Sequence, residues 1–254
     1  MNQETFNTFN SIWSTYFPGA PLPIAFYYSA DPGGVEPAPK PSGWRCFIGD
    51  LQPILDGHSR CFSLGTLGCG ARFLGFTTKL RPHFEEFLSC GIPGQLEGER
   101  YKRTPEHVKA WMEQIPVLEA PEKYIIFKRW DHLTPRETPA AVIFFATPDV
   151  LAGLFTWANF DETDPLAVIT PFAAGCASIV QYPLLESRRE RPRAVLGMFD
   201  VSARPRIARD VLSFAVPWAK FVQMVEQAEE SFLTTHAWNT VRDRIQAHAG
   251  KREA

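Results

Sequence analysis

The chain has 254 residues, of which 45% are hydrophobic and 21% charged, and a formal net charge of −2. It is long enough to bury a large core and too apolar to be a disordered segment. The near-neutral balance excludes a global attraction to nucleic acid or to an anionic bilayer.

The opening MNQETFNTFNSIWSTYF lacks the basic, apolar and small-residue blocks of a signal peptide, and no apolar run reaches the ~18 residues of a membrane span. The expectation is a cytoplasmic protein with a small-molecule ligand and with neither nucleic acid nor a membrane as partner. The oligomeric state is left open. Five cysteines without a CxxC pair point to free thiols rather than to a disulfide framework or a zinc ribbon, so any metal site must be assembled by the fold.

In chain order, Phe6, Phe9, Ile12, Trp13 and Tyr16 fall on one face of an amphipathic helix that Pro18 and Gly19 stop. Residues 23–30 (PIAFYYSA) read as a buried strand, and 31–42 as a Pro/Gly surface connection. From Trp44 to Leu55 the spacing of Phe47, Ile48, Leu51, Ile54 and Leu55 predicts a helix with Cys46 in its first turn. Backbone amides there lower a thiol pKa, which makes Cys46 a candidate thiolate or metal ligand; the competing reading is a small buried hydrophobe.

A short strand over 61–64 leads into Gly65, Gly68, Gly70 and Gly75, which surround Cys69 and allow a backbone to approach a ligand closely. The run has no Gly-Lys-Ser/Thr ending, and Phe73 stands where GxGxxG needs glycine, so a phosphate loop is disfavoured. Residues 79–90 read as a helix closed by Gly91. Thr104 and Pro105 then open another, whose apolar face is Val108, Trp111 and Ile115. The mixed-charge run 97–103 reads as surface, with Arg100 and Tyr101 as pocket candidates.

In the second half, 124–127 and 140–146 are strand-like. Thr147 caps a helix whose predicted face is Val150, Leu151, Leu154, Phe155 and Ala158. A short strand at 168–171 precedes a helix start over 177–185, which gives Cys176 the same setting as Cys46. After a strand at 194–199, Arg204 beside Asp200 and Ser202 is a candidate clamp for an anion, at the strand end where α/β sheets place ligands. A strand at 211–216, a closing helix through Phe221, Val222, Val225, Ala228 and Phe232, a helical stretch from Trp238 to Ile245 and a frayed tail from Ala247 complete the chain.

The fold class expected is α+β or α/β, a mixed sheet with helices packed against it, in one domain over residues 1–254. PIAFYYSADP and AVIFFATPDV hint at two similar strand-and-helix halves, about 1–118 and 119–246.

The segments CFIGDL (46–51), GCGARFLGF (68–76), CGIPGQLEGERYKRTPE (90–106), FFATPDVLAGLFTWANFD (144–161), GCASIVQYPLLE (175–186) and RAVLGMFDVSARPRIARDVLSFAVP (193–217) resemble the domain of unknown function 169 family over nearly the whole chain. The resemblance implies that Cys46, Cys69 and Cys176 stand at the family's cysteine positions, while Cys61 and Cys90 vary. It also implies a further cysteine near residues 200–204 in some relatives. This chain lacks that cysteine, which puts a four-thiolate site in doubt.

Three thiolates holding a [4Fe-4S] cluster would leave one iron open to a small anionic substrate; zinc with one open position is the alternative. Cys46, Cys69 and Cys176 are the metal candidates, and Arg204, Gly68, Gly70 and Arg100 the substrate-binding ones. Two rivals remain. One is a metal-free binding or sensor protein with an aromatic pocket. The other is a cysteine nucleophile with one of the histidines at 58, 83, 107, 132, 236 and 248, His58 lying closest in sequence.

Overall fold

The run AVIFFA at 141–146 is apolar at every position, and a strand can be so only if both faces of its sheet are covered. In the computed structural model, which describes residues 3–43 and 45–252, this strand lies at the centre of one seven-stranded sheet. Its alternate side chains divide cleanly. Ala141, Ile143 and Phe145 enter one core, and Val142, Phe144 and Ala146 the other.

The strands are β1 (Ile24–Ser29), β2 (Arg60–Phe62), β3 (Tyr124–Arg129), β4 (Ala141–Ala146), β5 (Val168–Ile169), β6 (Ala194–Gly197) and β7 (Leu212–Pro217), in the order β2-β3-β1-β4-β7-β6-β5. Every neighbouring pair is antiparallel except β5–β6. The fold is therefore α+β with a mixed sheet. Strands from both expected halves interleave, β1 lying between β3 and β4.

The helices are α1 (Gln3–Tyr16), α2 (Gln52–Leu55), α3 (Phe84–Leu88), α4 (Pro105–Glu113), α5 (Pro148–Ala158), α6 (Tyr182–Glu186), α7 (Trp218–Glu226) and α8 (His236–Arg252). Among the described residues none is long and apolar enough to cross a membrane. α1, α5, α7 and α8 cover one face of the sheet with interlocked rings: Phe9 meets Trp130 edge-on at 4.6 Å, and Trp13 stacks on Phe17 at 4.6 Å. Trp157 is buried in the same layer, and its Nε1–H donates to the Met224 carbonyl at 2.6 Å, which satisfies its polar edge.

The other face is covered differently. Phe47, Ile48, Leu51, Leu67, Leu74, Ile179 and Val180 reach it from short 3-10 and π-type turns rather than from long helices.

Several predicted boundaries shift, each for a local reason. Of the helix expected over 44–55, Trp44 lies outside the described residues. The remainder is a 3-10 turn, Phe47–Leu51, followed by α2, because Pro53 is accommodated in the first turn of a helix and not in its interior. Residues 79–90 are helical only in α3. Pro82 disfavours helical backbone at Arg81, and His83 turns the chain with φ of 58°. On α5, Phe155 points to solvent and Trp157 takes its expected place in the core.

The stretch 177–185 begins as a π-type turn, Ala177–Gln181, since Pro183 has no N–H to offer the Ile179 carbonyl. α7 ends at Glu226, leaving Ala228 and Phe232 in separate turns. α8 continues past Ala247, and a Cβ at Gly19 would come within 2.4 Å of Ala249, so this part of the helix is packed against the end of α1.

Gly197 of β6 sits directly under the π-type turn. A Cβ there would fall 2.4 Å from Ser178 Cβ and 2.3 Å from its Oγ. Gly197→Ala is expected to lower the urea midpoint by an amount equivalent to about 1–3 kcal/mol, the usual cost of overpacking. An unchanged midpoint would show that the turn does not rest on this strand.

Candidate functional site

Cys46, Cys69 and Cys176 come from remote stretches and line one cavity of about 490 Å³. The first two meet because residues 45 and 68 pack backbone against backbone. A Cβ at Gly68 would lie 2.4 Å from the Arg45 carbonyl oxygen, and the next amide, that of Cys69, donates to that oxygen at 3.3 Å. Cys46 stands at the cap of the Phe47–Leu51 turn in extended backbone, rather than within a helix. Cys176 lies in the helical turn that leads into Ala177–Gln181. The Gly175 amide of that turn donates to Asp200 Oδ2 at 3.0 Å, and Asp200 is further held by the Ser202 amide and hydroxyl.

The three thiols are not equivalent. Cys69 donates a hydrogen bond to the Cys46 sulfur, which, with the Ile48 and Gly49 amides, holds the Cys46 thiol below its ordinary pKa. The same hydrogen bond, followed by burial, pushes the Cys69 thiol up. Cys176 is raised by burial first and then by the negative charges at Cys46 and Asp200. Of the three, Cys46 gives up its proton most readily.

Chemically these soft donors suit zinc or an iron–sulfur cluster. Among the described residues, however, no three His, Cys, Asp or Glu side chains stand in metal-holding geometry. Taking up a metal would require the Cys46–Cys69 hydrogen bond to open and the Cys69 and Cys176 protons to leave.

The remainder of the wall is apolar and cationic. Arg45, Arg72, Lys79, Arg81, Lys102 and Arg206 line the cavity, and Asp200 is the one acidic residue that does so among the described residues. Arg45 is paired with Asp50. Arg81 lies over the Phe87 ring, and Lys102 over Phe172 and Trp111. Arg72 differs from these. It is 8% exposed, and its Nε and Nη1 are buried without a hydrogen-bond partner. Burial lowers its pKa from the ordinary guanidinium value, yet an arginine keeps its charge.

Of the other residues singled out from sequence, Gly68 and Tyr101 line the cavity. Gly70 packs against Phe47 instead, where a Cβ would come within 2.8 Å of that side chain. Arg100 is exposed and outside the cavity wall, with φ of 55°. Arg204 also lies outside the wall. Its guanidinium donates to the carbonyls of Val211, Ala208 and Arg209 and so ties the loop before β7. β6 and β7 are antiparallel, so they do not share the carboxyl edge at which α/β sheets place ligands.

Cys61 is buried in β2, its thiol pushed up to about 11 by burial and then by Asp31, and Cys90 is exposed. No histidine lines the cavity among the described residues. Arg72 escaped the sequence reading although a signal was there: it is one charge flanked by Ala71, Phe73 and Leu74 beside Cys69.

Residues 20–227 match the model of the domain of unknown function 169 family, described as uncharacterised ArCR. No curated protein and no solved structure matches the chain.

Cys46 is expected to be alkylated by iodoacetamide with a pH–rate midpoint below the ~8.5 of a free thiol. Since the Cys69 hydrogen bond favours the thiolate, Cys69→Ala should move that midpoint upward and slow the reaction at pH 7. Mass spectrometry of the labelled peptide assigns the site. A midpoint that Cys69→Ala leaves unmoved would remove the hydrogen bond as its cause.

Proposed function

The chain belongs to the domain of unknown function 169 family, and we propose that its cavity binds a small anionic molecule beside a metal centre held by Cys46, Cys69 and Cys176. The observation that carries the reading is the gathering of three thiols from remote stretches on one wall that also presents an unpartnered guanidinium. A [4Fe-4S] cluster or zinc held by three thiolates supplies a Lewis-acidic position for a substrate oxygen or sulfur.

The chain's own residues supply the rest. Arg72 receives the anionic group, and Asp200 fixes the turn bearing Cys176 through the Gly175 amide. The aromatic wall keeps bulk water from the charges, so each counts for more than it would at the surface. We place the protein in the cytoplasm, where thiols stay reduced. A metal-free binding or sensor site in the same cavity is the second reading. It is favoured by the lack of three ligand side chains in metal-holding geometry among the described residues.

Anaerobic purification followed by a visible spectrum with iron, zinc and acid-labile sulfide analysis decides between them. The expected result is iron and sulfide at about four per chain, lost in Cys69→Ala. Zinc alone keeps the three ligands and changes the chemistry. Colourless, metal-free protein would sink the metal centre and leave the binding site.

A further inference from the structure

The wall of the cavity is built for more than an inorganic anion. Where it meets solvent it carries Phe172, Phe199 and Val201, which are 55%, 53% and 68% exposed. Large exposed side chains gathered at one opening mark a place where apolar matter is received. Phe73 and Phe84 continue the apolar lining.

Against this surface stands Arg72, a buried charge whose Nε and Nη1 have no hydrogen-bond partner among the described residues. An unpaired buried charge costs stability, and a side chain needed only for packing there would be better apolar. A buried cation deep in the wall and exposed apolar side chains at its opening are the complement of an amphiphile.

We infer that the cavity takes an amphiphilic anion, a carboxylate carrying an apolar chain or ring, with the carboxylate on Arg72 and the apolar body toward Phe172, Phe199 and Val201. This rests on the reading of the cavity as an anion site. A carboxylate fits because a guanidinium meets its planar oxygens with two N–H donors.

The test uses the full chain purified anaerobically, titrated calorimetrically at neutral pH with straight-chain carboxylates from acetate to decanoate, with decanamide, and with inorganic phosphate. Affinity is expected to rise about fourfold per added methylene until the cavity is filled. Decanamide should bind at least tenfold more weakly than decanoate. Arg72→Leu should abolish the preference for decanoate over decanamide and, having lost a buried charge, should melt at a higher temperature than wild type. That melt also reports that the variant is folded. Phe172→Ser with Val201→Ser, both at exposed positions, should weaken decanoate about tenfold and leave acetate unchanged.

Acetate or inorganic phosphate binding as tightly as decanoate would overturn the amphiphile, as would an intact decanoate preference in Arg72→Leu or no carboxylate binding at all. The two proposals fail separately. Protein that retains its metal but binds no decanoate loses only the amphiphile, whereas metal-free protein that binds decanoate loses only the metal centre.

Discussion

The site depends on a backbone-to-backbone contact between residues 45 and 68. Only glycine lets the chain at 68 come against the Arg45 carbonyl oxygen, and that contact places the Cys69 amide on the same oxygen. From there the geometry propagates. Cys46 and Cys69 face each other, and Arg72 follows within the 3-10 turn Cys69–Arg72 and enters the same wall. The third thiol arrives independently, on a turn seated against β6 at Gly197 and tied to Asp200. Two unrelated packing constraints therefore converge on one cavity, which is why three distant cysteines line it together.

The two faces of the sheet divide the work. On one, four helices lock their aromatic rings over β4 and β7 and give a stiff support. On the other, the cover is made of short turns. Such turns spend fewer backbone groups on internal ladders, so amides remain to point at side chains. Amides at the opening of a helical turn have no acceptor within it. Those that follow Cys46 favour the charged form of its sulfur, and the Gly175 amide donates to Asp200 Oδ2.

Much of this was legible in the residues. The apolar runs located β1, β3, β4 and β7, and Thr104 followed by Pro105 opened α4 as its chemistry requires, accepting the His107 amide. The trio of Cys46, Cys69 and Cys176 was likewise in view. What stayed hidden depends on tertiary contact. Arg72 stands out locally as a lone charge among Ala71, Phe73 and Leu74, but only tertiary contact makes Arg204 spend its donors on carbonyls while Arg72 keeps Nε and Nη1 unmet. Sheet direction was equally remote, since the all-apolar run of β4, the pattern usual for a parallel sheet, pairs antiparallel with both its neighbours. The π-type turn was closer to reach, because Pro183 within a helical pattern already announces a missing donor.

The charges on the wall are coupled. Cys46 and Arg72 line the same cavity, so a negative ligand on Arg72 and a thiolate at Cys46 repel, and each disfavours the other by the same free energy. Protonating the thiolate removes that repulsion. A divalent centre held by three thiolates would keep a net negative charge, so in the proposed occupancy its help to the anion would come through the open coordination position.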